Sequence, residues 1–238
     1  MKLFINIMLI LIIAMCVWRG YKKGFISGII GILVVVIALY GGSLLSSKYS
    51  HQVVPVLEPF VNGYVDSQKT RDAALESMGY GNSELSLEDV LAQDSSLRYD
   101  YAYECISSLG LSKSMSEKLA DRSVNFAQAN NMHMTESVVA VLCDTITYVG
   151  GLVIAFLLIL ILLVAITNIG NISFKFPKMP LIDYIGGGVL GLAKSFMYCA
   201  LLCWFLSFLG IILGEGTLEG SALGKFFLSL DFITKDLI

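Results

Sequence analysis

The chain has 238 residues and a formal net charge of −3, with 56% hydrophobic and only 15% charged residues. Soluble domains average roughly 45–50% apolar and about 25% charged residues, so this composition excludes an ordinary soluble domain. Backbone polar groups in lipid are satisfied only in helices or closed barrels. Barrel strands alternate over about ten residues, whereas the apolar runs here are continuous. The sequence therefore predicts an all-α, polytopic integral membrane protein.

Four apolar runs have the length and composition of transmembrane helices, which need about 20 apolar residues to cross about 30 Å of hydrocarbon. They occupy residues 3–18, 24–45, 138–166 and 185–213. The first run ends Met15-Cys16-Val17-Trp18-Arg19, without the small-residue pattern of a signal-peptide cleavage site, and a second run follows at once. We therefore expect the first run to be a retained helix rather than a signal peptide.

These runs divide the chain into four segments. Residues 1–45 and 137–213 are predicted to be two transmembrane hairpins, and residues 46–136 a polar, helical insertion between them. Residues 214–238 combine apolar side chains with six charges and are predicted to be an amphipathic tail. The tail either lies on the membrane surface as an interfacial helix or packs against the insertion, and the sequence leaves both open.

The insertion contains several signals of short helices. Apolar residues at helical spacing predict a helix over residues 51–66, with Pro55 in its first turn. Ser86 followed by Asp89 is typical of a helix start, and further helices are predicted over residues 97–109 and from 114 to about 129. We expect three or four helices, too small for a fully independent core, that pack on the outer ends of the spans. The alternative is a solvated loop with frayed helices.

Charge predicts the orientation. The turn between the first two runs carries Arg19, Lys22 and Lys23 and no acid, and the turn between the last two carries two lysines against Asp183. Short loops rich in lysine and arginine stay in the cytoplasm, so both turns are predicted to lie inside. The insertion, with seven basic and thirteen acidic residues, and both termini then lie outside.

The sequence offers few residues for catalysis or metal binding. The two histidines, His51 and His133, lie far apart, and no HExxH, CxxC or phosphate-binding glycine loop is present. Four of the five cysteines fall in apolar runs, where cysteine is usually a small apolar filler. A disulfide between Cys105 and Cys143 is a minor alternative. We therefore predict no catalytic residue, no cofactor and no metal.

Charged residues within or beside the runs are candidate functional residues, because charge inside a membrane is rare. They are Arg19, Lys23, Asp144 and Lys194. At 1.5 Å per helical residue, Asp144 and Lys194 differ in depth by about 19 Å, so we do not expect them to pair. Asp144 is predicted to lie in the outer interface. Lys194 either anchors its helix at the inner surface or belongs to a polar path or docking site.

Glycines recur every four residues at two places. Tyr21-x-x-Gly24-x-x-x-Gly28 is repeated as Tyr184-x-x-Gly187-x-x-x-Gly191, and Gly20 extends the first copy. Small residues at this spacing allow helices to approach closely in lipid, so all five glycines are predicted to pack helices. The repetition also favours two hairpins related by an axis along the membrane normal, with a substrate path at their interface as the less favoured interpretation.

The same residues resemble a known family. The segment Arg19-Gly20-Tyr21-Lys22-Lys23-Gly24-Phe25 resembles the Arg-Gly-aromatic-x-basic-Gly-Phe signature of the CvpA, or colicin V production protein, family. Pro180-Leu181, then Gly187 and Gly191-Leu192-Ala193-Lys194, resemble its Gly-x-x-x-Gly-Leu-x-Lys segment, and Ser221-Ala222-Leu223-Gly224 the small polar stretch after it. The resemblance covers the four runs and not residues 49–135. It implies a bacterial inner-membrane protein linked to colicin V production or export, without assigned catalytic residues.

Two functions follow as hypotheses. The first is a non-enzymatic membrane protein that supports toxin production, secretion or envelope function through contacts with a membrane or secreted protein. The alternative is a small oligomeric channel or transporter, whose path would be lined by Lys194, Thr145, Thr147, Asn168 and Ser195. A membrane-embedded hydrolase is disfavoured. The expected partners are the lipid bilayer, a protein and a second copy of the chain, but no nucleic acid.

Overall fold

The computed structural model describes residues 2–81, 87–169, 180–208 and 220–229, and within these ranges it contains nine helices and no strand. The all-α prediction is therefore confirmed. The helices are α1 (Lys2–Lys23), α2 (Phe25–Val65), α3 (Gln68–Ser77), α4 (Leu87–Gln93), α5 (Leu97–Ser107), α6 (Lys113–Asn130), α7 (Met134–Ile169), α8 (Pro180–Leu206) and α9 (Ala222–Ser229).

Four of these helices, α1, α2, α7 and α8, are long and apolar enough to cross a membrane. Large apolar side chains stand out from their surfaces: Phe4 is 67%, Ile161 66% and Leu181 71% exposed. Surfaces of this kind are stable in lipid and not in water, so the protein is membrane-embedded. The predicted end of the fourth run, at residues 209–213, lies outside the described residues.

The helices are longer than the apolar runs predicted. Helix α2 continues from Phe25 to Val65 without the break expected between residues 46 and 50, and Pro55 and Pro59 lie inside it. Residues 46–54 contain neither glycine nor proline, so nothing in the chain stops the helix there. The prediction of a separate helix with Pro55 in its first turn is wrong, since that segment is the last part of α2. Helix α8 begins at Pro180, a residue favoured at the first helical position.

The chain forms two compact units, which we call the span unit and the insertion unit. Helices α2 and α7 contribute residues to both. Of the described residues, the span unit comprises 2–48, 149–169, 180–205 and 220–229, and the insertion unit comprises 49–81, 87–148 and 206–208. The insertion unit is therefore larger than the predicted segment 46–136 and takes in the first turns of α7.

The insertion unit has a hydrophobic core of its own. The core joins side chains from α5 and α6 to the last turns of α2 and the first turns of α7. Its fully buried members include Tyr101, Ile106, Leu119, Val138 and Leu142. Short helices between α2 and α7 were expected, and α3 to α6 are found. The predicted start at Ser86 lies outside the described residues.

The thiols of Cys105 and Cys143 are both buried in this core and both free. The structure therefore does not contain the disulfide considered as a minor alternative. Their contribution is apolar packing, the usual role of a buried free cysteine.

The described part of the tail, α9, belongs to the span unit. The backbone N–H of Leu223 donates a hydrogen bond to Asn6 Oδ1 of α1 at 3.3 Å. The ring of Phe227 lies 5.4 Å from that of Phe196 in α8, edge to face. The described part of the tail thus packs on α1 and α8. The rest of the tail, residues 214–219 and 230–238, lies outside the described residues, so the choice between a surface helix and packing on the insertion stays a prediction.

Candidate functional site

The two glycine motifs pack against each other. A Cβ on Gly191 would lie only 2.5 Å from the backbone oxygen of Cys16, and one on Gly187 would lie 3.0 Å from the Cα of Gly24. A Cβ on Gly20 would overlap the backbone oxygen of Gly187. Helix α8 therefore contacts the backbone of α1 and of the joint between α1 and α2, and side chains at these positions would separate the helices.

The tyrosines of the two motifs also meet, which extends the contact by one turn. The rings of Tyr21 and Tyr184 stack with their centroids 5.1 Å apart. Two pairs of equivalent residues of the repeated motif thus face each other, Tyr21 with Tyr184 and Gly24 with Gly187.

A single residue, Gly24, joins α1 to α2. Its φ of +84° is a conformation that glycine adopts without steric cost. The carboxylate of Asp183 lies against it: a Cβ on Gly24 would be 2.5 Å from Asp183 Oδ2. Because Gly24 has no side chain, the carboxylate can reach the first N–H group of α2.

Asp183 is a buried carboxylate that caps a helix remote from it in sequence. It is 3% exposed, and its Oδ1 accepts the backbone N–H of Phe25 at 2.8 Å. It also lies in the first turn of its own helix, α8. Both helix N-termini carry partial positive charge, so one carboxylate stabilises two helix ends. From the sequence, Asp183 was counted only as a charge in the turn between the last two apolar runs. Its position three residues after Pro180, a residue favoured at helix starts, is the one signal that it lies in the first turn of a helix.

Three of the four candidate polar residues line one cleft of the span unit, which has a volume of about 540 Å³ and which we call the basic cleft. Arg19 and Lys23 are exposed at the joint between α1 and α2, and Lys194 is half-buried on α8. No acidic residue is among the described residues that line it. The other polar groups that line it are Ser27, Thr167, Asn168 and Tyr198.

Lys194 is held between an aromatic ring and a glycine. Its Nζ lies 5.4 Å from the centre of the Tyr198 ring, within the range of a cation–π contact. A Cβ on Gly31 of α2 would lie 3.0 Å from the same Nζ. The absent side chain at residue 31 therefore leaves the space that the ammonium occupies.

The fourth candidate, Asp144, lies in the insertion unit and pairs with a residue that sequence reasoning missed. Arg122 Nη2 donates to Asp144 Oδ2 at 2.9 Å. The partner is 22 residues earlier on another helix, so helical spacing gives no signal for this contact. The sequence predicted that Asp144 does not pair with Lys194. In the structure, the basic partner of Asp144 is Arg122.

The Arg122–Asp144 ion pair borders a second cleft, of about 920 Å³, which we call the acidic cleft. All of its described residues belong to the insertion unit. Two arginines and His51 are outnumbered by acidic side chains, so the cleft has net negative charge. Those acidic residues are Glu58, Asp66, Glu88, Glu136 and Asp144.

The residues proposed for a transport path are only partly brought together. Asn168 lines the basic cleft with Lys194. The hydroxyl of Thr147 donates to the oxygen of Cys143 at 2.7 Å, and that of Ser195 to the oxygen of Leu192 at 2.6 Å. Both hydroxyls are therefore bonded within their own helices.

Among the residues that the structure describes, no three histidine, cysteine, aspartate or glutamate side chains converge as metal ligands would. His51 lines the acidic cleft, and His133 lines a small neighbouring cleft of about 110 Å³.

Comparison with known proteins adds no assignment: no family model matches the chain, and neither a curated protein nor a solved structure does. The features of the molecule that indicate a function are therefore the two clefts and the helices that build them.

Proposed function

We propose that this chain is a non-enzymatic bacterial inner-membrane protein of the colicin V production type. It anchors a folded polar unit at the extracytoplasmic face and supports toxin production, secretion or envelope function through protein contacts. The observation that carries the proposal is the insertion unit itself, which combines its own hydrophobic core with an open acidic cleft. The family assignment is supported by the signatures around residues 19–25 and 187–194.

The charge of the acidic cleft indicates the chemistry of the partner. Five carboxylates line it against two guanidinium groups, and four of the carboxylates are on exposed residues, Glu58, Asp66, Glu88 and Glu136. Complementary charge steers association and selects the partner. We therefore expect a basic segment of a membrane or secreted protein to bind here.

A site-specific cross-link tests this function. A photoreactive amino acid replaces Asn62, an exposed residue of the acidic cleft, in intact cells. We expect one discrete protein adduct, which disappears when Glu58→Lys reverses a charge of the cleft. The matched control carries the same photoreactive group at Ile161, an exposed apolar residue of α7, and is expected to give no such adduct. Equal adducts from both positions would contradict the proposal.

The second candidate is an oligomeric channel or transporter, which one observation favours: Lys194 and Asn168 line a cleft among membrane-type helices. Reconstitution in liposomes separates the two functions. The channel predicts solute flux that is lost in Lys194→Ala. The proposed contact function predicts no flux from either protein.

A further inference from the structure

Beyond protein contacts, we propose that the basic cleft of the span unit is a binding site for a phosphate group, carried by an anionic lipid headgroup or by a soluble phosphate compound. Three basic residues from two helices line it: Arg19 and Lys23 of α1, and Lys194 of α8. Within the described part of the chain, none of the three forms an ion pair. Because Lys194 is half-buried, its uncompensated charge is costly, and a bound anion would supply the missing countercharge.

The groups around the cations match the requirements of a phosphate. The planar guanidinium of arginine can donate two parallel hydrogen bonds to phosphate oxygens, and the ammonium of lysine supplies a localised positive charge. Ser27 and Asn168 add a hydroxyl and an amide to the same lining. The cleft volume of about 540 Å³ is sufficient for a headgroup-sized ligand.

The walls of the basic cleft add an apolar component that suits a lipid. Ile30, Val34, Val164 and Leu190 line the cleft together with the three cations. A phospholipid likewise combines a charged phosphate with apolar acyl chains, so its phosphate matches the three cations of the cleft and its first acyl carbons match the apolar walls. Basic pockets between transmembrane helices are known sites of anionic lipid headgroups.

A neighbouring lysine provides a matched control. Lys22 precedes Lys23 in the same turn, but its Nζ lies 5.0 Å from the centre of the Trp18 ring, and it is not among the residues that line the cleft. Replacing Lys22 removes the same charge from the same turn and leaves the cleft intact.

The experiment measures lipid binding to the purified full chain by native mass spectrometry, with phosphatidylglycerol against phosphatidylcholine. We expect phosphatidylglycerol to bind at least about tenfold more tightly, as charge-assisted contacts to phosphate predict. The variant Arg19→Gln/Lys23→Gln/Lys194→Gln is expected to lose this preference, whereas Lys22→Gln keeps it. Added salt is expected to weaken the preference, because screening weakens attraction between exposed charges.

Inorganic phosphate distinguishes the source of the group. If the anionic lipid binds and inorganic phosphate does not displace it, the ligand is a headgroup. If inorganic phosphate binds and phosphatidylglycerol does not, and the triple variant loses that binding, the ligand is a soluble phosphate compound. Either result supports the site.

A variant that keeps all charges guards against misfolding. Gly31→Val places a side chain where the Lys194 ammonium lies and is expected to reduce phosphate or lipid binding without changing the net charge. Thermal melting without lipid checks that each variant folds. If the triple variant does not fold, the binding measured for Gly31→Val tests the proposal instead. Equal binding by wild type and Gly31→Val, or an equal loss in Lys22→Gln, would overturn the proposal. Neither outcome depends on whether the acidic cleft binds a protein.

Discussion

At the scale of single residues, the carboxylates of Asp183 and Asp144 have specific partners that are remote in sequence. Asp183 accepts the N–H of a residue 158 positions away, and Asp144 pairs with a residue 22 positions away. Neither partner follows from local sequence, because these contacts depend on how the helices pack. Arg19, Lys23 and Lys194 were identifiable from the sequence, since charges beside or inside apolar runs are rare. Their convergence on one cleft was not.

The Asp183 cap gives a first prediction. Asp183→Ala removes the acceptor of the Phe25 N–H and is expected to destabilise the protein by about 1–2 kcal/mol, the usual cost of losing a helix cap. Asp183→Asn retains an acceptor oxygen at the same place, so its loss is expected to be smaller. Thermal melting of the detergent-solubilised chain compares the two variants. Equal melting of wild type and Asp183→Ala would show that the cap contributes nothing.

The ion pair of Arg122 and Asp144 gives a second prediction. Both side chains are 36% exposed and their atoms are 2.9 Å apart, so solvent screens the pair only in part. We expect a coupling free energy of about 1 kcal/mol in a double-mutant cycle of Arg122→Ala and Asp144→Asn. Urea unfolding of the insertion unit supplies the four free energies. The pair of Lys113 and Glu117, 4.0 Å apart and 69% and 47% exposed, is the control, with no measurable coupling expected.

The buried thiol of Cys105 gives a third prediction, on pH dependence. Burial in the core of the insertion unit raises the pKa of Cys105 from 9.0 to about 11. Between those values the unfolded chain loses this proton and the folded chain keeps it, so stability present below pH 9.0 is lost as pH rises toward about 11. Urea unfolding across this window is expected to show a steeper loss for wild type than for Cys105→Ala. Parallel curves would assign the pH dependence to other groups.

At the scale of helices, the apolar runs predicted which segments are helical, but not where each helix ends. Helix α2 continues beyond its apolar run because residues 46–54 contain no helix-breaking residue. Hydropathy measures affinity for lipid, whereas a helix ends where backbone geometry or capping stops it. At the end of α6, Asn131 adopts a left-handed conformation with φ 51°, and α7 starts three residues later.

The glycine contact of α8 gives a fourth prediction, with a control on the same helix. Gly191→Ala would place a Cβ 2.5 Å from the backbone oxygen of Cys16, and rigid backbone must move to accept it. A Cβ on Gly188 meets nothing within 4 Å. We expect Gly191→Ala to lower the melting temperature, and Gly188→Ala to leave it unchanged or to raise it by the better helix propensity of alanine. A similar effect of both substitutions would mean that propensity, not the helix contact, determines it.

At the scale of the whole molecule, the four membrane-type helices and a helical insertion were predictable from the distribution of apolar residues along the chain. The composition of the two units was not. The core of the insertion unit includes Met134 to Cys143, which the hydropathy pattern assigns largely to the third apolar run. A buried side chain looks the same in sequence whether protein or lipid covers it, so tertiary packing is needed to distinguish the two.

The orientation of the units relative to the membrane is the last prediction, and the choice of partner depends on it. The five native cysteines are first replaced. Single cysteines are then placed at the exposed residues Gln68, Lys113 and Lys22. Because the turn with Arg19, Lys22 and Lys23 is basic, it is predicted to be cytoplasmic. A membrane-impermeant thiol reagent applied to intact cells is then expected to label residues 68 and 113, and to label residue 22 only after permeabilisation. The opposite labelling pattern would show that the orientation predicted from charge is wrong. The acidic cleft would then face cytoplasmic partners, and the basic cleft would lie in the outer leaflet.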